Sequence, residues 1–185
     1  SHQAWPDVAF EAQQRAWLDA AELVDAKWER AEDQARLTRE GFARLLHDRA
    51  GHIVLGQNTH ELIVRWLSAL PMLARPRIVT TDGEFHTIRR QVDRLAEEGI
   101  EVVKIPARPA DTLAERVARA VDDRTACAMV SSVLWETAEI VPGLGVVAAA
   151  SRRRGAALLV DAYHHLNVVP FDLAELGLQD AFVTG

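Results

Sequence analysis

The stretch Ala156–Pro170, AALLVDAYHHLNVVP, decides how the chain is read. Its apolar run, Ala156–Val160, ends abruptly in a carboxylate, Asp161, and His164 and His165 follow. So short a continuous apolar run reads as a strand buried on both faces, as in a parallel sheet. Open α/β sheets bind ligands beyond the carboxyl ends of their strands. Asp161 therefore stands where a ligand would be, and the rest of the chain can be asked whether it completes that site.

Working back from this strand, helical and extended patterns alternate from residue 52 onward. His52–Leu55 reads as a short strand, then Gly56–Thr59 as a loop. A helix follows, with Leu62, Ile63, Trp66, Leu67 and Leu70 on one stripe, and Pro71 ends it. Arg77–Thr81 is the next strand. The turn Asp82–Thr87 leads into a helix through Ile88, Val92 and Leu95 that stops at Gly99. Ile100–Ile105 and Ala126–Val133 are further strands, separated by a helix starting at Asp111–Thr112 and carrying Leu113, Val117 and Val121. A helix ending in Arg152–Arg154 precedes the Asp161 strand, and Asp180–Thr184 is the last short run. Connections of a few residues between alternating elements predict an α/β domain over residues 51–185, its mostly parallel sheet sandwiched by helices. Residues 1–50 read as an amphipathic N-terminal helical arm, with Trp17, Ala20, Ala21, Val24 and Trp28 on one face. Its scattered aromatics (Trp5, Phe10, Trp17, Trp28 and Phe42) are expected to pack against the rest of the protein or a partner subunit.

Composition narrows the function. The chain has 185 residues with 49% hydrophobic and 26% charged, enough for one domain with a real core. A formal charge of −6 argues against nucleic acid, which needs a clustered basic surface. No apolar segment approaches the roughly 18 residues of a membrane span. The single cysteine, Cys127, cannot form an internal disulfide, and a reducing cytoplasm is the expected compartment. Lysine is scarce: only Lys27 and Lys104 occur, against nineteen arginines.

Three loops stand at strand ends. Asn58 and Thr59 suit a helix N-cap, whose free N–H groups also suit a phosphate. Phe85 and His86 offer a ring face, and Asp161 offers an anion beside a histidine. Pyridoxal phosphate would use all three: backbone donors for its phosphate, a stacking face for its ring, and a carboxylate that keeps its pyridine nitrogen protonated. Composition and spacing make this reading possible without favouring it, and other chemistries stand beside it. Asp161, His164 and His165 have metal-ligand chemistry, but no fourth ligand is evident. Ser131 or Ser132 with His164 and Asp161 makes a hydrolase triad by residue type, without the G-x-S-x-G elbow. A dinucleotide fold would need G-x-G-x-x-G after the first strand, and the chain lacks it.

GQNTHELIVRWLSAL (Gly56–Leu70), TDGEFHT (Thr81–Thr87) and VDAYHHLNVVPFDLAELGLQDAFVTG (Val160–Gly185) together resemble the class V, fold-type-I pyridoxal-phosphate enzymes, most closely kynureninase. The resemblance spans residues 50–185 and keeps three separated motifs in the family's order. It implies that Asn58 and Thr59 hold the phosphate, Phe85 stacks on the ring and Thr87 lies near the phosphate. Asp161 would pair with the pyridine nitrogen, and His164 would sit beside the ring in the family's D-x-x-H position. Ser132 and Trp135 fall where the family often lines the cofactor or substrate pocket. Ile88 departs from the aspartate that kynureninases often carry after the threonine of the aromatic turn. The family's Schiff-base lysine follows the D-x-x-H strand, and no lysine stands between Asp161 and Gly185. Lys27 and Lys104 are misplaced for that role, so the chain is expected to be the N-terminal portion of a longer protein that supplies the lysine, the substrate-carboxylate arginine and the C-terminal small domain. The implied activity is hydrolytic cleavage of the Cβ–Cγ bond of an L-kynurenine-type amino acid to an anthranilate-type acid and alanine, by a homodimer acting on a small amino-acid substrate. The alternatives are another class V enzyme (cysteine desulfurase, aminotransferase or epimerase) and a non-catalytic chain lacking the lysine.

Overall fold

The computed structural model describes residues 4–185 and divides into two compact units. One holds the chain up to Arg44 together with Asp48–Leu55, and the other holds Leu45–His47 and Gly56–Gly185.

The first unit is helical. Helix α1 spans Asp7–Glu22 and α2 spans Lys27–Leu46, with a 3-10 turn at Val24–Ala26 between them. The sequence pattern runs through this break without a Gly or Pro to announce it. Val24 takes a left-handed φ of 47°, which interrupts the helical hydrogen-bond ladder. The face expected to include both Trp17 and Trp28 is therefore split between two helices. Trp5, Phe10, Trp17 and Trp28 are all exposed, so packing within this helical unit does not bury them. The strand expected at His52–Leu55 is absent: Ala50–His52 is a 3-10 turn, and the residues after it have no regular structure. Val54 is 72% exposed. A four-residue apolar run carries no information on whether a neighbouring strand will accept its hydrogen bonds, and here none does.

The second unit is a parallel α/β layer structure. Its five strands are β1 (Arg77–Thr81), β2 (Glu101–Ile105), β3 (Thr125–Ser131), β4 (Ala157–Asp161) and β5 (Phe182–Thr184). They lie in the order β2-β1-β3-β4-β5, and every pairing is parallel. The sheet is flanked by α3 (Thr59–Ser68), α4 (His86–Glu97), α5 (Leu113–Ala120) and α6 (Gly145–Arg154). Side chains alternate along β3, as a strand requires. Cys127 and Met129 join Ile78 and Leu159 under Ile63 and Leu67 of α3 and Ile88 and Val92 of α4. On the sheet's other side α5 packs on β1 and β2, and α6 on β3 and β4. Every residue of β3 is buried, which is why this strand reads as an apolar run rather than an alternation. The run expected to continue to Val133 leaves the sheet after Ser131, and Val133 forms an isolated antiparallel bridge with Ile140. Among the described residues no helix is long and apolar enough to cross a membrane.

Because all five strands run the same way, their carboxyl ends share one edge of the sheet. The chain passes from β1 outward to β2 and then returns to the other side of β1 as β3. Such a reversal of strand order, at the carboxyl edge of the sheet, is the usual neighbourhood of a ligand in sheets of this kind.

Candidate functional site

Asp161 is the last residue of β4 and is 7% exposed. Its register partner on β3 is Ser131, and its main-chain carbonyl accepts hydrogen bonds from the N–H of Ser132 at 2.9 Å and the Ser132 hydroxyl at 3.2 Å. One side-chain oxygen accepts the N–H of Tyr163 at 3.0 Å, an Asx turn that fixes the carboxylate's direction. Burial pushes the Asp161 carboxyl above the ordinary aspartate range, and the Tyr163 amide and the nearby His164 pull it partly back. A cation placed against this carboxylate would relieve the burial cost.

The carboxylate faces a cavity of about 630 Å³ bordered by Asn58, Thr59, Phe85, Thr87, Asp161 and His164, the six residues expected from the motifs. The cavity also takes in Gln57, His60 and Tyr163, which carried no signal of their own in the sequence. The volume is in the range of small-molecule sites.

At one side of the cavity lies the start of α3. Asn58 is its N-cap, and its side-chain oxygen accepts the Glu61 N–H at 2.9 Å, while the Glu61 carboxylate accepts the Gln57 N–H at 2.8 Å. This exchange resembles a capping box. It leaves the amides of Thr59 and His60 at the positive end of a ten-residue helix without intrahelical acceptors. Gly56 lets the loop approach the helix, since a Cβ there would lie 2.6 Å from a Leu62 methyl.

Phe85 caps the start of α4 and packs among other rings. His86 lies 4.9 Å away at 35°, Trp135 lies 5.7 Å away edge-on, and His164 lies 6.2 Å away. The ring is 37% exposed and borders the cavity.

Two of the expected residues stand back from the cavity. Ser132 is fully buried and spends its hydroxyl on the Asp161 carbonyl. Trp135 packs against Phe85 and His86 rather than bordering the cavity. His165, the second histidine of the pair, is buried edge-on against Phe171 at 4.8 Å. Its Nδ1 has no partner, and burial lowers its pKa. Lys104 pairs with Asp93 and does not border the cavity.

Glu84 went unnoticed in the sequence. It is 2% exposed, wedged between the ends of β1 and β3. It accepts the Thr81 hydroxyl at 2.6 Å, the Ser131 hydroxyl at 2.6 Å and the Ser131 N–H at 3.1 Å. Burial raises its pKa to about 7 against these donors, and the charge of Asp161 adds to the rise. A carboxylate in a D-G-E turn reads as solvated, and only the strand order reveals that it is enclosed.

These groups fit pyridoxal phosphate: a buried carboxylate with one oxygen engaged, free amides at a helix start and an aromatic side chain border one cavity of suitable size.

Comparison with known proteins agrees with this geometry. The family Aminotransferase class-V matches residues 20–185. An uncharacterized aminotransferase of Bacillus subtilis (strain 168), YcbU, is 23% identical over 162 residues, covering 88% of this chain and 43% of that protein. Among solved structures, the cystine C–S lyase C-DES in complex with its reaction product cysteine persulfide is 25% identical, with a TM-score of 0.79, over 97% of this chain and 50% of that one. A C-DES mutant with glycine covalently linked to the PLP cofactor is 24% identical with a TM-score of 0.82, over 97% of this chain and 49% of that one. The chain thus spans about half the length of the relatives it matches.

Proposed function

The chain belongs to the class V aminotransferase family, and from that membership we propose that these residues form the cofactor cradle of a fold-type-I pyridoxal 5′-phosphate enzyme that cleaves a carbon–sulfur bond in a small amino acid. The observation that carries the cofactor is the buried Asp161 carboxylate facing the same cavity as the α3 N-terminus and Phe85. The reaction is supported by the likeness, over 97% of this chain, to a lyase whose structure holds cysteine persulfide. None of the relatives named above is a kynureninase, so the kynurenine-cleaving reading gives way to the alternative within class V.

Cys127 lies fully buried in β3, and burial pushes its thiol well above the ordinary range. A thiol that stays protonated and enclosed is no nucleophile, so Cys127 itself is not suited to take up sulfur.

When bound, pyridoxal phosphate supplies an electron sink for the carbon next to the substrate's amino group. Asp161 is suited to hold the proton on the pyridine nitrogen, because a buried carboxylate gains from an adjacent cation. The Thr59 and His60 amides, with the α3 dipole, are suited to the phosphate, and Thr87 borders the same cavity. Phe85 is suited to stack on the ring, and it packs edge-on with Trp135 and with His164. Ser132 holds the main chain of Asp161 in place. Lys104, held by Asp93 away from the cavity, is not placed to supply a covalent lysine for this cradle.

The test is to reconstitute the full-length protein with pyridoxal phosphate and supply L-cystine, L-cysteine or L-kynurenine. Pyruvate, followed by coupling to lactate dehydrogenase, is expected from cystine. Turnover of kynurenine alone would restore the hydrolase reading, and a protein that stays colourless would remove the cofactor.

A further inference from the structure

We propose that Glu84 is a positioning residue that sets where Phe85 stands over the cavity, by pinning the β1–α4 turn to the end of β3. The inference rests on the cofactor reading above, and it names a residue to which that reading gave no part.

The turn between β1 and α4 is held from both sides. On the β2 side, the Asp82 N–H donates to the Ile105 carbonyl at 3.0 Å, and the Asp82 carboxylate accepts the Ala107 N–H at 2.7 Å. Gly83 follows with no room to spare, since a Cβ there would lie 2.5 Å from that of Ala107. On the β3 side, Glu84 makes the hydrogen bonds to the strand end, beside the packing of Phe85 and His86 on Trp135. One of its oxygens takes the Thr81 hydroxyl and the Ser131 N–H, and the other takes the Ser131 hydroxyl. Phe85 is the next residue, and its backbone begins α4.

The attachment point also matters. Ser131 is the register partner of Asp161, and Ser132 holds the Asp161 carbonyl. One buried carboxyl thereby ties the aromatic wall of the cavity to the strand ends that carry its anionic wall. Burying a charged group is expensive unless it is fully hydrogen-bonded, and an apolar residue would fill this volume more cheaply. The three donors aimed at Glu84 make the site one of alignment, with the turn held by directional bonds that fix its height and rotation.

The experiment compares Glu84→Ala and Glu84→Gln with the wild-type full-length protein. The first readout is binding of 4′-deoxypyridoxine 5′-phosphate, which has the ring and phosphate but cannot bond a lysine. The second is the NMR shift of the Phe85 ring protons without any ligand, set by the rings of His86, Trp135 and His164. Phe171 and Phe182, which pack on other rings, are internal controls. Glu84→Ala is expected to bind the analogue about tenfold more weakly, the upper end of what one aromatic contact contributes, and to move the Phe85 resonances alone. Glu84→Gln keeps the acceptor and is expected to restore both. If Glu84→Ala does not fold, Ser131→Ala takes its place, with a loss of about threefold, the net worth of one hydrogen bond. Unchanged Phe85 shifts, or equal movement of all three rings, would overturn the positioning role. Wild-type protein that does not bind the analogue would instead overturn the cofactor reading, while the ligand-free shifts still report on Glu84.

Discussion

Replacing Glu84 by glutamine removes a titrating group from the protein interior while keeping its shape, and the consequence for stability can be worked out with its sign. In the folded protein the carboxyl's pKa is raised from 4.5 to about 7, chiefly by burial, with the three donors opposing and Asp161 adding to the rise. Below the unfolded value both states hold the proton, so ionisation costs nothing. As pH rises from about 4.5 to about 7, the unfolded chain releases the proton first, and stability falls. Above about 7 both states are ionised and the penalty is complete. A displacement of that size corresponds to about 3 kcal/mol. The glutamine has no such proton to lose. Its amide oxygen can still accept from Thr81 and the Ser131 N–H, and its NH2 can donate to the Ser131 hydroxyl.

The assay is urea unfolding of both proteins at several pH values between 4.5 and 8, with equal slopes as the check that the same surface is exposed. The other perturbed carboxyl and imidazole groups (Asp48, Asp122, Asp161, His165 and Asp172) are present in both proteins and largely cancel. Asp161, which faces Glu84 from β4, is the exception, and relieving its repulsion acts in the same direction. The stability advantage of Glu84→Gln is expected to grow by about 2–3 kcal/mol from pH 4.5 to 8. A constant difference across that range would refute the reasoning, because it would mean that the three donors offset burial fully and Glu84 titrates as a solvated carboxyl does.

Three further outcomes are expected. Asp161→Ala should lower turnover of the reconstituted enzyme by roughly two or more orders of magnitude, each tenfold step being about 1.4 kcal/mol, and an unchanged rate would remove its role at the pyridine nitrogen. Asn58→Ala should destabilise the fold by about 1 kcal/mol in urea unfolding through loss of the bond to the Glu61 N–H, with Asn58→Asp close to wild type; equal losses in the two would assign the effect to something other than the cap. Borohydride reduction of the full-length enzyme followed by peptide mass mapping should find the cofactor on neither Lys27 nor Lys104; an adduct on Lys104 would contradict the placement of that side chain against Asp93.

The sequence makes the sheet easier to read than the site. Strands such as β3 and β4 are buried on both faces, and burial leaves a run of apolar residues that only an extended segment of that length explains. The residues at their carboxyl ends, Asp161 above all, were legible for the same reason, as polar groups abruptly following apolar runs. Strand order was not legible, because nothing in β1 or β3 says that the chain passes over β1 between them. Everything that depends on strand order was therefore hidden as well. The burial of Glu84 arises only where β1 and β3 become neighbours. Likewise, Ser132 turns to the Asp161 carbonyl because of the register between β3 and β4. The break at Val24 and the missing strand at His52–Leu55 have a different cause. Each turns on a local backbone choice among residues whose preferences are weak, and hydrophobic pattern does not report it.

Asp161 and Glu84 also show how one sheet edge can give two carboxyl groups different tasks. Both are buried, and both have raised pKa values from burial before anything else. Glu84 meets three donors and does not border the cavity, so its hydrogen bonds are already complete. Asp161 meets one backbone donor and borders the cavity, so its remaining capacity can be met only from within that space. A neutral ligand leaves the repulsion between the two groups in place. A cationic nitrogen against Asp161 compensates that charge, lowers the pKa of Asp161 directly and lowers that of Glu84 through the weakened repulsion. The edge is therefore selective by electrostatics as well as by shape. On the proposed reading, a phosphate-bearing ring without a basic nitrogen would meet the amides of α3 and Phe85 yet leave the burial cost at Asp161 in place, whereas a protonated pyridine would answer all three.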